Sequence, residues 1–341
     1  MNENMGIRSR IILVTGAVGF IGFFLSKNLL EKGFEVCCLD NLNSYYDVGL
    51  KHSRLDLLNN SPHFCFMKCD ISEKESLTNA FRTIKPEIVI NLAAQAGVRY
   101  SIDHPETYIQ SNIIGFFNIL EACRSFKVKH LVYASSSSVY GSNTKVPFEE
   151  TDFVDHPVSL YAATKKANEL MAETYSHLYH IPTTGLRFFT VYGPFGRPDM
   201  AYYDFTNKYF NDQPITIYNN GDFEHDLMRD FTYVDDIVQG IVRLIDNPPS
   251  NGSLHEVYNI GNNQPVKLMT FIETLEKCLT KSTGKPVIFK KIFEPMKPGD
   301  VFATYASTEK LNSAIGFKPH TPLEEGLQRF TDWYVEYYHK K

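Results

Sequence analysis

Short apolar runs alternate with segments of helical spacing through the first half of the chain. A run such as Ile11–Thr15 has successive apolar residues without a polar alternation, which is typical of a strand that is buried on both faces. The stretches between the runs place apolar residues three and four positions apart, as amphipathic helices do. This order predicts an α/β fold in which helices cover both faces of a doubly wound parallel sheet. The predicted strands are Ile11–Thr15, Glu35–Asp40, His63–Asp70, Ile88–Ala93, Leu131–Ser135 and Thr183–Phe189.

A glycine-rich turn links the first predicted strand to the first helical segment. Gly16, Gly19 and Gly22 lie in it at intervals of three residues. Small residues let the backbone approach a pyrophosphate, and the start of a helix offers an anion free N–H groups and a positive dipole end. Ordinary strand-to-helix turns also contain glycines, so the turn is weak evidence by itself. Together with Phe20 and Ile21, these glycines form the predicted pyrophosphate site.

Polar and small residues follow the next strands at one expected edge of the sheet. Asp40 ends the second strand, where a carboxylate can accept hydrogen bonds from the adenosine ribose of a dinucleotide. An acid there repels a 2′-phosphate and favours NAD over NADP, although Asp is also common where a strand turns. Ligands of doubly wound (Rossmann) sheets lie across the carboxyl ends of the strands, so later strand ends should also face the cofactor. The further predicted NAD-binding residues are Asn41, Asp70, Ile71, Leu92, Ala93, Ala94, Asn112 and Phe188.

Tyr161 and Lys165 lie four residues apart on a predicted helix, so their side chains share one face. A free phenol, with a pKa of about 10, is a poor base at neutral pH and needs a neighbouring cation, which Lys165 can supply. The same spacing recurs at Tyr337 and Lys341, so it gains weight only from its setting. That setting is the serine run 135–138 at the end of a strand, whose hydroxyls can hold a substrate oxygen. One of these serines is expected to be catalytic, with a polar turn as the alternative.

The sequence changes in character after residue 190, where Gly, Pro, Asn and aromatic residues become frequent. We predict an NAD-binding Rossmann domain over 1–190 and a smaller, interleaved substrate domain over 191–341. The strands Phe231–Val234 and Glu256–Ile260 and a helix from Asp235 are expected to return to the first sheet. The segment 230–262 would therefore belong with the first domain.

Composition argues against several classes of function. The 341 residues carry a formal net charge of −5, and the pI near 6.1 leaves no basic surplus for binding nucleic acid. The six cysteines lack paired metal-ligand spacing, which predicts reduced thiols, no metal site and a cytoplasmic location. The apolar stretch 11–30 is interrupted by three glycines, Ser26 and Lys27, so no membrane span is expected.

These motifs resemble the extended short-chain dehydrogenase/reductase family over nearly the whole chain. The landmarks are the glycine turn, Asp70-Ile71, the serine run and Tyr161-x-x-x-Lys165. Within that family the chain is similar to the NAD-dependent sugar-nucleotide 4-epimerases, and most of all to the UDP-glucuronate 4-epimerases. The segments that carry this likeness are QAGVRYS at 95–101, RFFTVYGP at 187–194 and GRPDMA at 196–201.

The resemblance implies a mechanism and its catalytic residues. Tyr161 would take the proton of the sugar 4-hydroxyl while NAD+ accepts the C4 hydride, and Ser136 with Ser138 would hold the oxygen. The 4-keto sugar would swing about its pyrophosphate linkage and take the hydride back on its other face, which inverts C4 without net redox change. Lys165 would orient the nicotinamide ribose and lower the pKa of Tyr161. Related dehydratases and decarboxylases have an acid where this chain has Ser137 and Ser138, so epimerisation is expected.

The resemblance also implies a UDP-sugar site in the C-terminal domain. Arg229 would bind the diphosphate through its planar fork. The alternative is that Asp235 only caps the next helix and Arg229 is a surface charge, and the two interpretations are compatible. Asp300 would accept from the uridine ribose, and Lys297 stands near the position where many relatives have a second phosphate-binding Arg. Tyr218 would stack near uracil. The predicted contacts of the sugar, including a uronate carboxylate, are Arg99, Ser136, Ser137, Ser138, Thr190 and Arg197.

The expected activity is therefore the reversible 4-epimerisation of UDP-glucuronic acid to UDP-galacturonic acid, a precursor reaction for polysaccharides. UDP-N-acetylglucosamine or UDP-glucose remains an alternative substrate, and a non-catalytic dinucleotide-sensing protein is a more distant alternative. The helices Ile109–Cys123 and Ala163–His177 carry more apolar residues than one sheet face needs. Family members commonly pair these helices, which implies a homodimer. Nucleic acid and membranes are not expected partners.

Overall fold

The protein is described by a computed structural model that covers residues 8–222, 224, 226–250, 252–296 and 302–339. The strands, in chain order, are Arg8–Thr15 (β1), Phe34–Asp40 (β2), Phe64–Lys68 (β3), Ile88–Asn91 (β4), His130–Ser136 (β5), Thr183–Phe188 (β6), Thr190–Tyr192 (β7), Ile215–Ile217 (β8), Met228–Tyr233 (β9), His255–Ile260 (β10), Pro265–Lys267 (β11), Lys291–Phe293 (β12) and Ala303–Thr304 (β13).

The α-helices, in chain order, are Phe20–Glu31 (α1), Val48–Leu58 (α2), Lys74–Ile84 (α3), Tyr100–Asp103 (α4), Pro105–Tyr108 (α5), Gly115–Ser125 (α6), Leu160–Tyr179 (α7), Ala201–Phe210 (α8), Val234–Ile245 (α9), Leu268–Thr283 (α10), Glu309–Ile315 (α11) and Leu323–Tyr337 (α12). A π-helical turn at Ile109–Ile114 precedes α6, and a 3-10 turn at Ser137–Tyr140 follows β5.

Within the described residues, seven parallel strands form one sheet in the order β10-β6-β5-β4-β1-β2-β3. The chain runs outward from β1 to β3, crosses back to β4 beside β1, and continues outward on the other side. At such a switch point the connections leave in opposite directions, which opens a crevice at the carboxyl ends of the strands. The predicted doubly wound parallel sheet is confirmed.

Strand β1 shows why the apolar runs lack alternation. Ile12 and Val14 pack into one hydrophobic core and Leu13 into the other, and all three side chains are buried. Because successive side chains point to opposite faces of a strand, a strand between two helical layers needs an apolar residue at every position. The sheet is therefore the wall between two cores.

We predicted that both strands of 230–262 return to the first sheet. That prediction is right for β10 and wrong for β9. Strand β10 pairs with β6 in the large sheet, whereas β9 pairs with β7, β11 and β13 in a separate sheet. Helix α9, between these strands, packs on α1, and its Gly240 lies against Ile260 of β10 in the large sheet. One core cluster contains both Ile12 and Phe330, so packing is continuous across residue 190 and that domain boundary stays a prediction.

All six cysteines are free thiols, and four of them are buried. Burial raises the pKa of the Cys37 thiol to about 12, which makes it a poor nucleophile. A search of the described residues found no helix that combines the length and the apolar content needed to cross a membrane.

Candidate active site

A cavity of about 530 Å³ lies along the carboxyl ends of the central strands. It brings together most of the residues that the sequence singles out, although they come from distant parts of the chain. From the predicted set it is lined by Gly16, Gly19, Phe20, Ile21, Gly22, Asp40, Asn41, Asp70, Ile71, Leu92, Ala93, Ala94, Arg99, Ser136, Ser137, Ser138, Tyr161, Lys165, Phe188, Thr190, Arg197 and Arg229. Their individual roles stay predictions.

The glycine-rich turn at one end of the cavity has no space for side chains. Gly16 has a φ of +67°, and a Cβ there would lie 2.7 Å from the backbone nitrogen of Ala93. A Cβ on Gly22 would overlap the carbonyl oxygen of Gly16. Helix α1 starts after Gly19 without a side-chain cap, so its first N–H groups are suited to binding an anion. The turn fits a dinucleotide pyrophosphate.

Asp40, at the end of β2, is buried beside a lysine that sequence reasoning missed. Asp40 Oδ1 accepts from the backbone N–H of Leu42 at 2.9 Å and lies 3.9 Å from Lys51 Nζ. Burial raises the pKa of Asp40, and the charge of Lys51 opposes this rise. Burial also lowers the pKa of Lys51, which donates to Asn43 Oδ1 at 2.9 Å. The predicted preference for NAD over NADP depends on the negative charge of Asp40, and Lys51 partly offsets that charge.

Asp70 lies beyond the end of its strand and is held in a turn. Strand β3 ends at Lys68, earlier than the sequence predicts. The backbone N–H and hydroxyl of Ser72 donate to Asp70 Oδ1 at 2.9 and 2.7 Å, and Asn41 Nδ2 donates to Oδ2 at 2.7 Å. Burial works to raise the pKa of Asp70, but these hydrogen bonds outweigh it and the pKa is lowered. Asn41 and Asp70 therefore form one charged, fixed wall of the cavity.

Helix α7 places Tyr161 and Lys165 on the cavity wall. Ser159 caps the helix by accepting the backbone N–H of Ala162 at 3.1 Å, so the tyrosine lies in the first turn. Lys165 Nζ lies 6.0 Å from the centroid of the Tyr161 ring and donates to the carbonyl of Ala134 at 2.9 Å. Burial lowers the pKa of Lys165 to about 8. The ammonium is thus charged at neutral pH but close to its titration range.

The phenol of Tyr161 has a raised pKa. Burial is the main cause, and the hydrogen bond with Ser136 and the charge of Arg197 act against it. We predicted that the neighbouring Lys165 lowers this pKa below its usual value. That prediction is wrong, because the net effect of the surroundings raises the pKa. The positive charge that acts on the phenol comes from Arg197. Ser136 Oγ also accepts the backbone N–H of Ser138 at 3.2 Å and donates to its hydroxyl at 3.2 Å.

Arg197, which also lines the cavity, is held in a fixed orientation. Its Nε and Nη2 donate to the two carboxylate oxygens of Asp199 at 3.0 and 2.5 Å. The hydroxyl of Tyr45 donates to Asp199 Oδ2 at 3.2 Å. Sequence reasoning missed Tyr45 and Asp199, although Asp199 stands two residues from Arg197 in the GRPDMA segment. Asp199 engages only part of the guanidinium, which has five N–H donors in all.

A buried ion pair behind the serine run was also missed. Arg187 Nε and Nη2 each donate to a carboxylate oxygen of Glu169 at 2.9 Å, and Ser135 Oγ donates to Glu169 Oε1 at 2.6 Å. Arg187 lies opposite Ser135 in the sheet, and Glu169 lies one helical turn beyond Lys165. The pair therefore ties the end of β5 to the helix that carries the tyrosine and the lysine. The spacing 161, 165 and 169 on one helix face was the available signal.

Two predicted site residues, Asn112 and Tyr218, lie outside the cavity lining. Asn112 does not line the cavity, because its amide is engaged with the backbone of Gln95, whose N–H and carbonyl lie 2.8 and 3.0 Å away. Asn112 thus has a structural role in bracing the turn after β4. Tyr218 is also outside the cavity lining, and the guanidinium of Arg99 lies 4.9 Å from its ring centroid. Asp300 falls outside the described residues.

A doubly wound sheet with a glycine-rich turn at its switch point, and with Tyr161, Lys165 and Ser136 at the same edge, defines an NAD-dependent enzyme of the short-chain dehydrogenase/reductase class. A family profile described as GDP-mannose 4,6 dehydratase matches residues 13–330, and the chain belongs to that family.

Similar proteins extend over nearly the whole chain. It is 52% identical over 343 residues to "Protein CapI" of Staphylococcus aureus, with 96% of this chain and 99% of that protein covered. It is 46% identical to a "Probable UDP-glucuronate 4-epimerase" of Rhizobium meliloti, covering 96% and 98% of the two chains. The structure of a UDP-glucuronic acid 4-epimerase from Bacillus cereus with UDP-glucuronic acid and NAD gives a TM-score of 0.85 at 32% identity, covering 96% and 100%. The predicted family resemblance is confirmed.

Proposed function

We propose that this protein is an NAD-dependent UDP-glucuronate 4-epimerase that interconverts UDP-glucuronic acid and UDP-galacturonic acid. The observation that carries the proposal is the placement of Tyr161, Lys165 and Ser136 in one cavity with the cation Arg197. A tyrosine can transfer the proton when C4 of the sugar is oxidised and reduced. A guanidinium can bind the carboxylate of a uronate sugar. The epimerase relatives, similar over nearly their full length, support the same activity.

The described residues fit NAD. Gly16, Gly19 and Gly22 line the cavity without side chains, and the start of α1 provides N–H groups for a pyrophosphate. Asp40 and Asn41 offer acceptors and donors for the adenosine ribose, and Asp70 with Ile71 lies beside them. Bound NAD supplies the acceptor of the C4 hydride and later its donor.

The residues of the chain move and hold the proton. Tyr161 takes the proton of the sugar 4-hydroxyl and gives it back when the keto group is reduced on its other face. Because burial favours the neutral phenol, Tyr161 acts as a base only with positive charge close by, which Arg197 provides. Ser136, which lines the same cavity as the phenol, holds the substrate oxygen.

The substrate is positioned by residues around the rest of the cavity. Arg229 lies in the lining, with Nη1 donating to the carbonyls of Met228 and Phe302 at 2.8 and 3.2 Å, and binds the diphosphate. Arg197, Thr190 and Arg99 contact the uronate end, and Ser137 and Ser138 complete that side. This set favours UDP-glucuronic acid over UDP-glucose, which has no carboxylate for a guanidinium to bind.

The protein works as a homodimer in this proposal. Ile114 and Phe117, at and after the π-helical turn, and Leu170 and Leu178 on α7 are apolar side chains exposed at the surface. Leu170 and Leu178 are eight residues apart and so share one face of the helix. A second copy of this surface would cover them. The free cysteines and the nucleotide-sugar substrate support a cytoplasmic location.

The test is incubation of purified protein with UDP-glucuronic acid, with and without added NAD, followed by NMR of the anomeric protons. UDP-galacturonic acid should appear until equilibrium is reached. UDP-glucose and UDP-N-acetylglucosamine are run in parallel as substrates without the carboxylate. Faster turnover of either one would replace the uronate assignment while keeping the 4-epimerase mechanism. No turnover of any of the three would overturn the proposal and favour a dinucleotide-sensing role.

A further inference from the structure

Arg54, on helix α2, is a buried cation that connects two parts of the cavity wall. Its side chain is fully buried. Nη1 donates to the carbonyl of Val18, inside the glycine-rich turn, at 2.8 Å. Nη2 donates to the carbonyls of Phe195 and Gly196, just before Arg197, at 2.6 and 3.2 Å. One guanidinium therefore joins the pyrophosphate turn to the segment that carries Arg197.

The hydrogen-bond partners of Arg54 in the described part of the chain are neutral. They are three carbonyl oxygens and the hydroxyl of Tyr46, which lies 2.7 Å from Nη1. The charge of Arg54 acts on the carboxylate of Asp40, but no hydrogen bond joins the two. A buried cation whose hydrogen bonds go only to neutral groups is expensive, so the site keeps Arg54 at a cost in folding free energy. A role limited to packing would be served at lower cost by an apolar side chain.

The segment that Arg54 holds has an unfavourable backbone conformation. Phe195 has a φ of +50°, in the left-handed region that residues with a Cβ rarely adopt. The next residue, Gly196, has no room for a side chain, because a Cβ would overlap the hydroxyl of Tyr202. The ring of Phe195 is packed between Phe23 and Trp333, with centroids 5.2 and 4.7 Å away. Hydrogen bonds to both carbonyls keep this turn in the form that aims Arg197 at the cavity.

We propose that Arg54 is a positioning residue that fixes the Arg197 segment against the pyrophosphate turn and so sets where the sugar carboxylate lies relative to the cofactor site. The proposal rests on the proposed function for the role of Arg197. Arg54 does not line the cavity and acts through backbone carbonyls. A guanidinium is required because two of its nitrogens reach acceptors from different segments at once, which a single ammonium does not.

The test compares wild-type protein with Arg54→Lys, which keeps the charge and loses the fork. The measurements are NAD retained after gel filtration, the KM and kcat for UDP-glucuronic acid with NAD added, and the thermal midpoint. Losing hydrogen bonds to a charged group should raise KM and lower NAD retention by about tenfold, with kcat changed by less than about threefold. Arg243→Lys, an exposed arginine packed over Phe317, is the control and should leave all four values unchanged.

Tyr46→Phe is a second, milder variant that removes one partner of Arg54 and decides the matter if Arg54→Lys does not fold. It should raise KM and lower NAD retention in the same direction, by about twofold to fivefold. A lowered thermal midpoint with unchanged KM and NAD retention would overturn the proposal, since it would reduce Arg54 to a structural role. NAD retention does not depend on the sugar, so failure of wild-type protein to turn over UDP-glucuronic acid would count against the proposed function alone.

Discussion

The phenol of Tyr161 shows how the surroundings of one residue decide its chemistry. Burial alone makes it a weaker acid, and Ser136 and Arg197 act in the opposite direction. Arg197 is itself held by two hydrogen bonds to Asp199. The proton-transfer group therefore depends on a residue that the sequence assigned only to the sugar carboxylate.

Removing the hydroxyl of Tyr161 should abolish most of the activity. Acid–base catalysis contributes about 100- to 10,000-fold, so Tyr161→Phe should slow epimerisation of UDP-glucuronic acid by at least about 100-fold in the NMR assay. NAD content should stay as in wild-type protein. Tyr337→Phe is a matched control, because Tyr337 has the same spacing to a lysine and its hydroxyl contacts Ser53, 2.7 Å away. Activity of Tyr161→Phe within about tenfold of wild type would contradict its assigned role.

At the scale of elements, β5, β6 and α7 are fixed to one another by polar contacts between their buried faces. The pair of Glu169 and Arg187 crosses from the helix to the sheet, and Ser135 joins it from the neighbouring strand. Arg187 also donates to the hydroxyl of Tyr140 at 3.0 Å, which extends the contact to the turn after the serine run. These elements carry Ser136, Tyr161 and Lys165, so their relative placement is set by this network.

Breaking one half of that pair should be worse than removing both. Glu169→Gln leaves the buried Arg187 without its counter-charge and should lower the free energy of unfolding by about 3–5 kcal/mol in urea denaturation. Adding Arg187→Met to it should recover part of the loss, because no uncompensated charge remains. Glu324→Gln, in an exposed pair with Lys277, is the control and should have little effect. A double variant less stable than Glu169→Gln would contradict this reasoning.

His130, the first residue of β5, should make the fold sensitive to acid. Its ring is buried with Nε2 2.9 Å from the Thr184 hydroxyl, and burial lowers its pKa from 6.5 to about 4. Between these two pH values the unfolded chain binds the extra proton and the folded chain does not. The contribution of His130 to the free energy of unfolding is therefore unaffected by acid above pH 6.5 and falls as the pH drops to about 4.

The shift corresponds to a loss of about 3 kcal/mol across that window. His130→Gln should remove this part of the pH dependence when unfolding in urea is measured at several pH values. His52→Gln, at an exposed position on α2, should retain it. An unchanged pH dependence in His130→Gln would show that other groups cause the acid sensitivity.

At the scale of the whole molecule, the large sheet and the second sheet share one packed core, while an apolar surface remains on α6 and α7. Leu170 is 56% exposed, and Ile114, Phe117 and Leu178 on the same pair of neighbouring segments are exposed as well. A symmetric partner would bury such a surface, since a two-fold interface brings the same patch of both copies together.

Placing a charge in this surface should separate the proposed dimer. Wild-type protein should have twice the 39.0 kDa chain mass by light scattering, and Leu170→Lys should shift it toward the single-chain mass. Leu57→Lys is the matched control, because Leu57 is 50% exposed on α2, away from the patch. A single-chain mass for wild-type protein would rule out the dimer, and a dimer that survives Leu170→Lys would place its interface elsewhere.

The sequence alone determined the parts of this protein that depend on local periodicity and spacing. Apolar runs located the strands of the large sheet because both of its faces are buried, and the glycines around Gly19 located the turn because only they fit its close backbone contacts. The spacing of Tyr161 and Lys165 identified the chemistry because a helix places both on one face.

The tertiary structure decided what depends on partners far apart in the chain. It assigned β9 to a second sheet, because strand pairing is set by the neighbour across the ladder rather than by the strand's own sequence. It placed Lys51 beside Asp40, and Arg54 between Val18 and Phe195. It also set the direction of the Tyr161 pKa, because burial and distant charges act through space and leave no local pattern in the sequence.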